Sequence, residues 1–74
     1  MENNIKKKNI EITVIAPCYN EELNLSEFYT RIIKSIDEIN VKNYELIFID
    51  DGSKDKTWEI INELSNKNKS IIGI

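Results

Sequence analysis

Histidine is absent from this 74-residue chain, and cysteine, proline, tryptophan and methionine each occur once. Without histidine there is no Ser-His or Cys-His nucleophile pair, and a Cys/His zinc site cannot be built. Cys18 alone cannot close an intramolecular disulfide, and a free thiol fits the cytoplasm, the default compartment here. Only two glycines are present, and nothing matches a Gly-x-Gly-x-x-Gly dinucleotide loop or a Walker A loop. No apolar run approaches the roughly 18 residues of a transmembrane helix. The start, Met1-Glu2-Asn3-Asn4-Ile5-Lys6, lacks the apolar core of a signal peptide. What remains for chemistry is carboxylates, hydroxyls, amides and lysines.

The balance of what is present is that of an ordinary globular chain. Ten Lys and Arg against thirteen Asp and Glu give a net charge of −3, with 31% charged and 41% hydrophobic residues. Nucleic acid, which demands a clustered positive face, is a poor partner for such a chain. The one basic cluster, Lys6-Lys7-Lys8, reads as part of a solvated polar tail over residues 1–9. A chain this short buries only about 60% of the surface its unfolded form exposes. One small domain is therefore the ceiling.

From residue 10 onward, strands and helices alternate. Ile10 to Ala16 is rich in β-branched residues and runs into Pro17, predicting a strand that ends in a loop. Leu25, Phe28, Tyr29, Ile32, Ile33, Ile36 and Ile39 recur at spacings of three and four, the stripe of an amphipathic helix. Asn24 followed by Glu27 predicts a reciprocal capping box at its start. Tyr44 to Asp50 reads as a second strand, apolar on both faces through Leu46-Ile47-Phe48-Ile49. Asp51-Gly52-Ser53 is turn chemistry, and a second helix follows over roughly Asp55 to Asn66 with Trp58, Ile61 and Leu64 on its core side. Ser70 to Ile74 begins a third strand.

The order β-α-β-α-β predicts an α/β fold, the opening half of a Rossmann-like parallel sheet. With strand order 3-2-1, both helices cover the same face and nothing in these residues covers the other. A large missing part of the domain, or a partner, is expected to supply that cover.

Ligands of open parallel sheets bind beyond the carboxyl ends of the strands. Two clusters fall there: Ala16-Pro17-Cys18-Tyr19-Asn20-Glu21-Glu22 and Asp50-Asp51-Gly52-Ser53-Lys54-Asp55-Lys56-Thr57. Neighbouring strands lie about 4.8 Å apart, so the two loops share one rim. Tyr19 offers a flat face on which a base stacks, and the Asp51 carboxylate, an acceptor only, suits the N–H edge of uracil or guanine. Glu21 suits a ribose hydroxyl. Gly52 allows positive φ and a close backbone approach. Asp50 is expected to serve structurally, bonding loop amides at the strand end. Blander roles compete: Tyr19 closing the core rim, Ser53, Asp55 and Thr57 as turn and helix-cap residues, Glu22 as a solvated carboxylate. Cys18 reads as a small buried side chain and Trp58 as core.

Other acidic motifs fail on position. An EF-hand starting at Asp51 would need Glu where Asn62 stands, and a phosphatase-type Asp-x-Asp-Gly would need Asp where Ile49 stands. A response-regulator receiver carries its acid pair after the first strand, which is not the order here.

The two segments Val14 to Glu22 and Ile49 to Thr57 resemble the start of a family 2 glycosyltransferase of GT-A fold. The wording Ala-Pro-x-Tyr-Asn-Glu-Glu and Asp-Asp-Gly-Ser-x-Asp-x-Thr is most similar to the branch that charges dolichyl or polyprenyl phosphate with a sugar. The resemblance covers residues 12–74 and implies that 10–74 is the nucleotide-binding N-terminal part of such a domain, truncated. It implies that Pro17, Tyr19, Glu21 and Asp51 line a nucleotide pocket, with Ser53 counted among the binding residues and Asp51 reading the base edge. It further implies an inverting transfer of hexose from a UDP- or GDP-sugar to a lipid phosphate or glycan, and a membrane-associated parent on the cytoplasmic face. Mg²⁺ or Mn²⁺ is expected in the full-length enzyme, but the Asp-x-Asp that grips it is absent from this chain, as are acceptor-side residues. No catalytic residue and no metal ligand are therefore assigned here. The competing expectation is a non-catalytic truncated module that docks on a protein partner through its uncovered sheet face; a small nucleotide-binding regulator is a third.

Overall fold

The computed structural model describes residues 9–74, so Lys6-Lys7-Lys8 and all but the last residue of the expected tail lie outside the described residues. The described chain runs β1 (Ile12–Cys18), α1 (Leu25–Glu38), β2 (Tyr44–Asp50), α2 (Thr57–Lys67) and β3 (Ile71–Gly73). The three strands form one parallel sheet in the order β1-β2-β3, with Ile12 opposite Tyr44, Cys18 opposite Asp50 and Leu46 opposite Ile71. The expected α/β order and strand arrangement are both present.

Period-2 alternation sorts the strand residues onto two unlike faces. Ala16, Cys18, Leu46, Phe48 and Ile71 point to one side and are buried together with Leu25 of α1 and Ile61 of α2, so both helices cover the same face. Phe28 of α1 meets the Phe48 ring edge-on at a centroid distance of 6.4 Å. On the opposite side Ile15 is 60% exposed and Ile49 and Ile72 each 37%, and no described residue packs over them. Ile74, beyond β3, is exposed too.

Four local expectations are corrected. β1 does not stop at Ala16 but passes through Pro17 to Cys18. The Asp51 amide donates to the Cys18 carbonyl at 2.9 Å, so the even-numbered residues of β1 bond to β2 and Pro17 points its nitrogen outward. A proline on a free edge costs no ladder bond. Asn24 takes helical backbone angles and makes no side-chain cap; the amides of Asn24 and Leu25 instead donate to the Glu21 carbonyl at 3.0 and 2.9 Å. Asn40, at φ 61°, takes the left-handed position that ends α1. Helix α2 starts at Thr57 with Lys56 as its flanking residue, and Ser53 does not cap it. Trp58, read as core, is 39% exposed, with its ring against the backbone of Gly73.

Candidate functional site

The site is built where β1 and β2 end side by side. The bond from the Asp51 amide to the Cys18 carbonyl carries the pairing one step past the strands. Loop 1, residues 19–24, and loop 2, residues 51–56, therefore leave the sheet as neighbours. Each turns through a left-handed residue, Asn20 at φ 51° and Gly52 at φ 75°. Asparagine and glycine are the residues that take this conformation most readily.

Turning loop 1 this way leaves three consecutive amides that no backbone carbonyl satisfies, and loop 2 together with the first residue of α2 supplies an oxygen for each. The Asn20 amide donates to Ser53 Oγ at 2.8 Å, the Glu21 amide to Thr57 Oγ1 at 2.8 Å and the Glu22 amide to Asp55 Oδ2 at 3.1 Å. The seam is reciprocal. Asn20 Oδ1 accepts the Lys54 amide at 2.8 Å, and Glu22 Oε1 accepts the Lys56 amide at 3.3 Å. Every second residue of Ser53-Lys54-Asp55-Lys56-Thr57 thus offers a side-chain oxygen to loop 1, while the lysines between them offer amides. The spacing of that motif is a hydrogen-bonding pattern.

Thr57 is the buried end of the seam. It is fully buried, and its hydroxyl accepts from Glu21 while donating to Asp55 Oδ1, so both of its functions are used. Asp55 Oδ1 also accepts the Thr57 amide at 2.9 Å. Partial desolvation acts to raise the Asp55 pKa, but the hydrogen bonds from the Thr57 hydroxyl, the Thr57 amide and the Glu22 amide outweigh it and hold the carboxyl below its ordinary value. Asp50 Oδ1 accepts the Ser53 amide at 3.2 Å and closes the Asp51-Gly52 turn.

The other site residues stand free of this seam. Among the described residues, none donates to the side chains of Glu21 or Asp51, and the Tyr19 hydroxyl is likewise unengaged. Tyr19 is 52% exposed, Pro17 and Asp51 are exposed, and Glu21 is half-buried. Pro17 and Glu21 share a cleft of about 250 Å³ with Cys18, Asn24, Leu25 and Phe28. That is smaller than the roughly 300–1,000 Å³ that encloses a drug-sized ligand. Tyr19, Asp51 and Ser53 lie outside this lining, and the Ser53 hydroxyl is occupied by Asn20.

Cys18 is buried, and that burial first, then the nearby Glu21 and Asp50 carboxylates, push its thiol pKa up. Such a thiol stays protonated and is a poor nucleophile. Among the described residues no group of three or more Cys, Asp or Glu side chains is arranged to hold a metal ion. No described helix is long and apolar enough to cross a membrane.

Residues 13–74 match the sequence profile described as Glycosyl transferase family 2. The chain belongs to glycosyltransferase family 2. Among its curated relatives, the dolichol-phosphate mannosyltransferase of Pyrococcus furiosus is 43% identical over 58 residues, 78% of this chain and 16% of that protein. The dolichyl-phosphate beta-glucosyltransferase of Dictyostelium discoideum is 38% identical over 74 residues, 95% of this chain and 23% of that protein. An undecaprenyl-phosphate 4-deoxy-4-formamido-L-arabinose transferase of Edwardsiella ictaluri is 39% identical over 56 residues, 76% of this chain and 17% of that protein. This family 2 chain therefore spans about a sixth to a quarter of these relatives, and the three-stranded sheet agrees with part of a Rossmann-like GT-A fold.

The loop-to-loop seam is what sequence reading missed. Asp55 and Thr57 are read there as turn and cap residues and Glu22 as a solvated carboxylate, and Asn20 is given no role. The available signal was the alternation of oxygen-bearing side chains at 53, 55 and 57 after a glycine turn.

Proposed function

We propose that this segment forms the donor-nucleotide part of a family 2 hexosyltransferase that uses a UDP- or GDP-sugar and delivers the sugar to a polyprenyl or dolichyl phosphate. One observation carries the reading. In a chain of this family, the seam engages Asn20 Oδ1, Ser53 Oγ, the Asp55 carboxylate and the Thr57 hydroxyl, and among the described residues none donates to the side chains of Glu21 or Asp51 or engages the Tyr19 hydroxyl at the carboxyl ends of β1 and β2. Three relatives are named for transfer to dolichyl or undecaprenyl phosphate, which supports the acceptor class.

Each free group has a defined task in this reading. The Tyr19 ring stacks on the base, and the Asp51 carboxylate accepts from the base N–H edge. Glu21 accepts from a ribose hydroxyl beside Pro17. The segment binds and orients the donor and carries no general base of its own. A divalent cation, held by residues outside this segment, would neutralise the departing diphosphate. The bare sheet face at Ile15, Ile49 and Ile72 is covered by the remainder of a larger domain.

The test is a transfer assay on the full-length protein with UDP- or GDP-hexose and a polyprenyl phosphate. The expected product is a polyprenyl phosphate carrying one hexose, and failure with every such donor contradicts the proposal. The exposed isoleucines favour one further reading, a docking module, which predicts that neither UDP nor GDP binds at all.

A further inference from the structure

Resting on the donor-site reading, we propose that Asn20, Asp55 and Thr57 are positioning residues: the clasp they form sets where Tyr19 and Glu21 stand relative to Asp51, and thereby sets nucleotide affinity. The side chains of Tyr19 and Glu21 grow from the backbone whose amides at 20, 21 and 22 are held by Ser53, Thr57 and Asp55. Asp51 sits on the opposite loop, tied to the end of β1 through the Cys18 carbonyl. The distance between the two halves of the proposed donor site is therefore set by bonds between residues 33 to 36 positions apart in sequence. None of these bonds uses a group of Tyr19 or the side chain of Glu21 or Asp51.

A second consequence concerns phosphate. Three consecutive amides on a left-handed turn form the kind of concavity that holds anions. In loop 1 the three consecutive amides are instead engaged one by one by Ser53 Oγ, Thr57 Oγ1 and Asp55 Oδ2. The loop 1 amides are taken by the clasp and do not hold the diphosphate.

Thr57 is the most informative position because its two bonds can be removed without changing side-chain shape. Thr57→Val keeps the volume and drops the hydroxyl, whereas Thr57→Ser restores it. Asn20→Gly keeps the left-handed backbone and removes only the bond to the Lys54 amide, so it provides an independent probe from the exposed side if Thr57→Val does not fold. The measurement is the dissociation constant of UDP and of GDP for the full-length protein, taken well below each variant's melting temperature. Loss of one hydrogen bond from a displaced binding group changes such constants by about two- to tenfold, and by more where the group is charged.

The proposal expects Thr57→Val to weaken the preferred nucleotide about tenfold, Thr57→Ser to recover most of that, and Asn20→Gly to weaken it about threefold or more. A purely structural role would lower the melting temperature of Thr57→Val while leaving the affinity of the folded fraction unchanged. Unchanged affinity in Thr57→Val, or in Asn20→Gly where Thr57→Val fails to fold, overturns the proposal. Asp51→Ala serves as the control for the underlying reading. If it weakens binding while the clasp variants do not, only the positioning role fails; if it too leaves binding unchanged, the donor-site reading fails with it.

Discussion

Asp55 shows how much one side chain is asked to do at this rim. Its carboxylate accepts from the Thr57 amide, the Thr57 hydroxyl and the Glu22 amide, and these bonds favour the charged form. Its folded pKa therefore lies below the ordinary value of 3.8. A depressed folded pKa means that the stabilisation is fully present above the unfolded value and is lost as pH falls through the lower folded one. The carboxylates across the seam are those of Glu21 and Glu22. Thermal unfolding of the parent protein and Asp55→Asn should differ at pH 7, and the gap should close as pH drops below about 4. A gap that stays constant down to pH 2.5 would contradict the assignment, where ~2.5 is simply a pH well below the usual carboxylate range.

The same residue marks the limit of what was legible at this scale. Which residues cluster at the strand ends follows from their order along the chain, because parallel strands place successive loops on one rim. Their partners do not follow. The need for oxygens at 53, 55 and 57 arises from the backbone path of Asn20-Glu21-Glu22, more than thirty positions earlier, and that path exists only once the sheet has formed. Local rules assigned the oxygens to turns and caps, which is where such side chains most often act.

At the scale of elements, periodicity carried far. The Tyr44–Asp50 limits of β2 agree with the reading of its apolar run, and α1 follows its stripe to Glu38. The ends went astray where edges and tertiary bonds override local preference. Pro17 stays in β1 because its nitrogen faces away from β2, and Asn24 does not cap because the Glu21 carbonyl receives the first amides.

Helix α2 also explains a glycine. A Cβ placed on Gly73 would lie 2.5 Å from Ile61 Cγ2 and 3.3 Å from the Trp58 ring. Ile61 is fully buried and branched at Cβ, so it has little room to yield. Gly73→Ala should lower stability by about 1–3 kcal/mol through overpacking. Denaturant unfolding checks it, and a variant as stable as the parent would show that α2 does not lie this close on β3.

For the whole molecule, the decisive feature is asymmetry. One face of the sheet is packed by both helices, and the other presents Ile15, Ile49 and Ile72 with no described residue over them. That asymmetry follows from helices that both cross to one side while β2 is apolar on two. It agrees with a segment that spans about a sixth to a quarter of its relatives, and it places the two loops on an open rim rather than in a closed cleft.

In the proposed function this rim reads a nucleotide through the carboxylate of Asp51, to which no described residue donates. Isothermal titration of UDP and GDP into the full-length protein and its Asp51→Ala variant tests it most directly. A hydrogen bond to a charged group is worth about 1.5–3 kcal/mol, so the preferred nucleotide should bind about ten- to a hundredfold more weakly to the variant, with its preference over the other base reduced. Equal affinity and equal preference in the two proteins would contradict the account.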